Sequence, residues 1–324
     1  MPARAAHPRK TRRPRSGAPI SPLNSGSLWV IAGTTASGKS GLALELARRC
    51  GGELLCFDST TVYRHLDIGT AKPTPAEQAL VPHHLLDLVE AGEDFSLALF
   101  LREAEAALAG VRARGHQPIL VGGTYLYLRA FLQGFQLSEV APDPDFRARA
   151  ETRPTAELVE ELGRLDPAAL PLVDLANPRR VIRALEVCQA GKLFSEHYQS
   201  RPRPEPMRKI GLQARPDWLK ERIARRCQGM FLNGFREEVK RLCEKGLQRW
   251  LLSMRFIGYP EVIEGLELAL SDSQLAERVS ESTWRLVKKQ RTWGRSEVGV
   301  EWFDAEDPAL VERVWEQLQT PTDK

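Results

Sequence analysis

The chain has 324 residues, 42% apolar and 27% charged, with a formal net charge of +4. This usage excludes fibrous or wholly disordered chains, and at about 150 residues per domain the length suits one large or two modest domains. No apolar run approaches the ~18 residues of a membrane span, and five cysteines without a Cys-x-x-Cys pair argue against structural zinc or disulfides and fit a reducing, cytoplasmic compartment.

Residues 1–27 carry six Lys/Arg, no acid and five prolines. They are expected to form a disordered basic tail, because such a composition cannot pack a core. Its prolines oppose an amphipathic transit helix, and it lacks the apolar centre of a secretory signal. Leu28 to Ala32 (LWVIA) reads as a buried strand, followed by a Gly-rich turn and a helix through Leu42, Leu46 and Ala47 that stops at Gly51-Gly52. Glu53 to Phe57 (ELLCF) reads as a second strand. Pro73, Pro75 and Pro82 make residues 58–93 irregular. Leu97, Phe100, Leu101, Ala104, Leu108 and Val111 share one helical face, and Gly115 ends that helix. Pro118 to Val121 (PILV) reads as the third strand. Short apolar strands alternating with helices predict an α/β fold with a parallel sheet covered by helices.

Gly134 closes the next helix. Residues 138–206 are rich in Pro, Glu and Arg, with helical periods such as Leu158, Leu162 and Leu165 and no strand pattern. They predict a helical insertion. Arg208 to Ala214 (RKIGLQA) reads as a strand returning to the sheet, long helices follow, and Val300 to Phe303 forms a late strand. The expected organisation is a tail over 1–27, a P-loop core over 28–137, the insertion over 138–206, and the rest of the core over 207–324. Residues 201–255 carry 15 Lys/Arg against 6 Asp/Glu, net +9, which suits a face for a polyanion. An ordinary solvated helical surface carries the same charge pattern.

Gly33-Thr34-Thr35-Ala36-Ser37-Gly38-Lys39-Ser40 matches G-x-x-x-x-G-K-[ST] between an expected strand and an expected helix. Gly33 and Gly38 let the backbone wrap an anion, and the amides of the helix start face its oxygens. Lys39 adds a point charge, and the Ser40 hydroxyl can ligate Mg²⁺. The third strand ends Val121-Gly122-Gly123-Thr124, without the acid that nucleoside triphosphatases use. The second ends in Asp58, and ligands of parallel sheets bind outside the carboxyl ends of the strands. Asp58 is therefore expected to share the phosphate crevice, as acceptor of a substrate proton or as cap of the following turn. His83-His84 lacks the further ligands that a metal site needs. Leu219, Ile223, Cys227 and Met230 make one apolar face of a later helix, with Arg222, Arg225 and Arg226 together on another.

Several longer segments resemble the tRNA dimethylallyltransferases, also called tRNA isopentenyltransferases, of the bacterial type. These are GTTASGKS, DSTTVYRHLDIGTAKP, PHHLLD, VGGTYLYLRA and NPRRVIRALEV, then RIARRCQGMFLNGF, IGYPEVIEGL and, weakly, KKQRTW. The resemblance covers roughly residues 28–300. It implies transfer of a dimethylallyl group from dimethylallyl diphosphate to the exocyclic amine of the adenosine just 3′ of the anticodon in tRNA, giving N6-(dimethylallyl)adenosine. It further implies that residues Gly33 to Ser40 hold the diphosphate, with Mg²⁺ as cofactor at Ser40. Asp58, Thr35 and Arg222 match catalytic positions. Asp58, Ser59, Thr60, Thr61, Thr124, Arg147, Arg179, Arg180, Val181, Ile182, Arg183 and Arg226 match positions that contact the anticodon stem-loop. Thr34 stands where Pro is common, Ser40 replaces the frequent Thr, Thr61 stands where many members have Gln, and Tyr125 replaces a frequent Gly. The implied partners are tRNA and dimethylallyl diphosphate, with no membrane and a monomeric state. Two other readings stay open: a P-loop kinase or prenyltransferase acting on free adenine nucleotides, and a non-catalytic RNA-binding protein.

Overall fold

The computed structural model describes residues 27–138 and 140–320. All of the expected tail except residue 27 lies outside them. Among the described residues eight strands run in chain order: β1 (Leu28–Gly33), β2 (Glu53–Cys56), β3 (His83–His84), β4 (Pro118–Gly122), β5 (Phe135–Gln136), β6 (Gln199–Ser200), β7 (Met207–Gln213) and β8 (Val300–Asp304). Six of them form a parallel sheet in the order β3-β2-β4-β1-β7-β8. This is the helix-covered α/β sheet that the short apolar strands predict.

Alternate residues of each strand face opposite sides, so β1 feeds two cores. Leu28, Val30 and Ala32 join Leu55, Leu120 and the Leu97–Ala113 helix on one face. Trp29 and Ile31 join Leu54, Ile119 and Ile210 on the other, under the Lys39–Cys50 and Leu310–Gln319 helices. The Lys39–Cys50 helix stops where expected: Gly51 takes φ 64° and its N–H caps the Ala47 carbonyl. The helix after β1 and the Tyr125–Leu132 helix after β4 pack on opposite faces. The crevice between the ends of β1 and β4 is therefore a topological switch point, where parallel sheets bind ligands.

Two details differ from the sequence reading. PILV is the fourth strand, because His83–His84 in the supposedly irregular segment pairs with Leu54 and Leu55. A two-residue strand offers no alternation to read. Gln199–Ser200 pairs antiparallel with Phe135–Gln136 across the base of residues 138–206, where no strand was expected. Between these strands, helices Pro144–Glu151, Thr155–Leu165 and Pro178–Gln189 surround a core of their own, built on Leu158, Leu162, Val181 and Leu185.

The DIGTAKP and PHHLLD segments are held by buried charge. The Lys72 ammonium is buried and donates to Asp67 and Asp87, both at 2.6 Å, and to the Tyr63 carbonyl at 2.9 Å. Glu238, also buried, accepts from the amides of Asp67, Ile68 and Gly69 and from the Tyr259 hydroxyl. A buried carboxylate needs such donors to offset its lost hydration. These motifs thus fix the loop beneath the crevice.

The histidine pair has a structural role as well. Glu53 is buried at the start of β2, where Arg114 grips both its oxygens and His84 and His116 each approach one at 2.5 Å. The Arg114 hydrogen bonds, aided by both histidines and opposed by burial, pull its pKa from 4.5 to about 2. A depressed folded pKa gives stability that is present above about 4.5 and lost as pH falls toward 2. Wild-type melting temperature is therefore expected to fall more steeply than that of Glu53→Gln across this window. Parallel curves would remove Glu53 from the acid response.

Candidate active site

The Gly33–Ser40 segment builds a cradle at the end of β1. Gly33 is fixed by space, since a Cβ there would lie 2.6 Å from Ser37 Oγ. Ala36 and Gly38 take positive φ, 65° and 92°, which turns the loop before the Lys39–Cys50 helix starts. The Ser37 hydroxyl is buried with no hydrogen-bond partner. An orphaned hydroxyl inside a loop of amides at a helix start suits an anion.

Cations converge on this loop. Lys39 Nζ donates to the Thr34 carbonyl at 3.2 Å. Its pKa is lowered from 10.5 to about 8, first by burial, then by Arg226, with Asp58 pulling the other way. Arg222 stacks on the Trp218 ring at 4.5 Å and donates from Nε to the Ala36 carbonyl at 2.8 Å. Both Arg222 and Arg226 project from the Pro216–Leu232 helix, whose Leu219, Ile223 and Cys227 are buried against the core as expected.

A cavity of roughly 450 Å³ opens beside the cradle. Thr35, Lys39, Asp58, Thr124 and Arg226 are among its polar lining residues. Met230, Phe256, Ile257, Val279 and Leu286 are among its apolar lining residues. Asp58 Oδ1 accepts from the Thr60 amide at 2.9 Å and the Thr60 hydroxyl at 2.6 Å. It therefore caps a turn and also lines the cavity. Thr124 Oγ1 accepts from the Ser59 amide at 3.4 Å, joining the loops after β4 and β2.

Some expected contacts need correction. The Val181 and Ile182 side chains are buried in the insertion core, so their side chains cannot touch RNA. Thr61 is buried and does not line the cavity, which removes its side chain from the segment Asp58 to Thr61. Arg147 and Arg183 both bind the buried Glu186 carboxylate, and Arg180 lies 3.4 Å from Asp174. Burial alone would raise the Glu186 pKa, but the two arginines outweigh it and hold the group below its ordinary value. Arg179 is exposed. The exposed Ser40 on the first turn offers one hydroxyl, and no group of three His, Cys, Asp or Glu among the described residues could hold a metal ion. That donor set fits a Mg²⁺ brought and mostly held by phosphate oxygens, not one caged by protein.

Sequence reasoning missed Gln290, which lines the cavity from the Asp272–Arg295 helix. The KKQRTW segment was the signal, but nothing in it named a role. The cavity's apolar wall was also missed, because Phe256, Val279 and Leu286 look like ordinary core residues until the helices are assembled.

A family model described as IPP transferase matches residues 61–297. The chain belongs to the IPP transferase family. The tRNA dimethylallyltransferase of Roseiflexus castenholzii is 42% identical to it over 291 residues, 88% of this chain and 95% of the relative. That of Methylococcus capsulatus is 40% identical over 301 residues, 90% and 96% of the two chains. The solved tRNA isopentenylpyrophosphate transferase of Bacillus halodurans matches with a TM-score of 0.67 at 34% identity, over 90% of this chain and 95% of that one. A solved eukaryotic dimethylallyltransferase acting on tRNA matches with a TM-score of 0.71 at 26% identity, over 90% and 77%. The chain is thus an enzyme of a prenyl-transferring family. Among the described residues no helix is long and apolar enough to cross a membrane.

Proposed function

We propose that this IPP transferase moves a dimethylallyl group from dimethylallyl diphosphate to the exocyclic amine of the adenosine 3′ of the anticodon in tRNA. The observation that carries this reading is one cavity with three chemistries. Thr35 and Lys39 of the phosphate cradle, the Asp58 carboxylate and apolar side chains that suit a five-carbon chain all line it. The relatives' names supply the substrates.

The reaction then follows from the groups. The amine lone pair forms the new C–N bond as the allylic C–O bond breaks, and that electron pair leaves on the diphosphate. Lys39, Arg222, Arg226 and the cradle amides stabilise the departing charge. Asp58 orients the amine and takes its proton. Ser40 would hold a Mg²⁺ carried on the diphosphate, which supplies further charge neutralisation. An anticodon loop presents a base that is inexpensive to flip out. Five free cysteines suit the reducing cytoplasm.

Dimethylallyl diphosphate is expected to raise the melting temperature more than ATP does at equal concentration. Protection by ATP alone would favour a kinase.

On the RNA side, Arg179, Arg180 and Arg183 remain the candidates to meet stem phosphates, with Arg147 beside them. Arg179→Ala is expected to weaken tRNA binding and flatten its salt dependence by up to about one log unit per lost phosphate contact, with melting unchanged. Arg183→Ala is expected to flatten the slope and also lower the melting temperature, because Glu186 loses a partner. An unchanged slope in both variants would make these arginines scaffold.

A further inference from the structure

The Gln290 side-chain amide is buried in the crevice wall, on a helix that belongs neither to the cradle nor to the Asp58 loop. Its Oε1 accepts from the Thr35 amide at 2.8 Å. Its Nε2 donates to the Gly123 carbonyl at 3.0 Å. The site is built around it: a Cβ on Gly123 would lie 2.9 Å from Nε2 and 3.3 Å from Lys39 Nζ. The residue after Gly123, Thr124, takes the Ser59 amide beside Asp58. Hydrogen bonds through Gln290, continued by the Gly123–Thr124 backbone, therefore link the cradle to the loop after β2.

We propose that Gln290 is a positioning residue that sets the cradle threonine and the Asp58 loop in register, so that donor carbon and acceptor amine meet. The inference rests on the prenyl-transfer reading. The side chain must offer one acceptor and one donor at fixed separation, which glutamine does and glutamate or methionine does not. Gln290 touches no reacting atom in this scheme. It acts by removing freedom between two loops, and sub-ångström register of that kind controls rate more than binding.

The test compares wild type, Gln290→Met and Gln290→Glu with dimethylallyl diphosphate and tRNA. Methionine keeps the bulk and loses both hydrogen bonds. Glutamate keeps the acceptor for Thr35 and sets a carboxylate against the Gly123 carbonyl. Single-turnover rates at saturating substrates are expected to fall about 10–100-fold in Gln290→Met, with tRNA affinity unchanged. Gln290→Glu is expected to lose rate and also raise the KM for the diphosphate, since it adds like charge beside the cradle. The rate loss from Gln290→Met is further expected to shrink in an Asp58→Asn background, because the two act on one alignment. A wild-type rate in either folded variant overturns the inference, as does a loss confined to KM, or full additivity with Asp58→Asn. If Gln290→Met does not fold, the rate of folded Gln290→Glu decides by the same criterion. If wild type itself transfers nothing to tRNA, the underlying reading fails instead, and the two failures are distinct.

Discussion

Asp58→Ala is expected to lower dimethylallyl transfer by about 10²–10⁴-fold at saturating substrates, with diphosphate affinity nearly unchanged. The carboxylate faces the cavity at the end of β2, while the cradle closes β1. Its loss should therefore strike the acceptor. Alanine also removes the turn cap that Asp58 Oδ1 provides to Thr60, so the decisive companion is Asp58→Asn. Asparagine keeps that oxygen and the turn, but it cannot take a proton from the amine. Equal loss in both variants assigns the effect to proton transfer. A loss in alanine with normal turnover in asparagine would reduce Asp58 to a turn residue.

Lys39→Ala is expected to weaken dimethylallyl diphosphate binding by about 2–5 kcal/mol, the usual cost of truncating a buried charged partner, while tRNA binding survives. The unliganded protein is expected to melt no lower. Burial and Arg226 hold the Lys39 pKa near 8, below its unfolded value. Its charge therefore opposes folding below pH 8, and that penalty disappears as pH rises toward 10.5. The same shift sets a pH dependence for the donor. A bound diphosphate favours the charged amine, so wild-type affinity is expected to fall as pH rises through 8, with proton uptake on binding. Titration calorimetry in buffers of different ionisation heat measures both. A flat profile, or an equal fall in Lys39→Ala, would separate Lys39 from the diphosphate.

The cradle was legible because its signals are local. Gly33 and Gly38, the preceding apolar strand and the following helix fall within one short stretch, and the structure realises each. Asp58 was legible because strand ends in parallel sheets converge on one crevice. Gln290 was not. It lies 255 residues from Thr35 in the chain, and a glutamine on a charged helix resembles any solvated residue. The arginine pattern after Asn177 was legible as a helical face, and Val181, Ala184 and Leu185 pack inward as their spacing requires. Matching a whole run to RNA contact went too far, since a helix cannot expose Val181 and Ile182 while burying them. Glu53 and Lys72 show the opposite gap. Their motifs stood out in the sequence, yet their partners, Arg114 with His116 and Asp67 with Asp87, are fixed only once strands and loops meet.

The most direct measurement incubates the protein with dimethylallyl diphosphate, Mg²⁺ and total tRNA, then digests the tRNA and weighs its nucleosides. The predicted result is adenosine carrying one added C5H8 unit, located 3′ of the anticodon, with one diphosphate released per modified base and a rate about 10²–10⁴-fold lower in Asp58→Asn. Unmodified tRNA beside a phosphorylated free nucleotide, or tRNA binding without any new nucleoside, would contradict it.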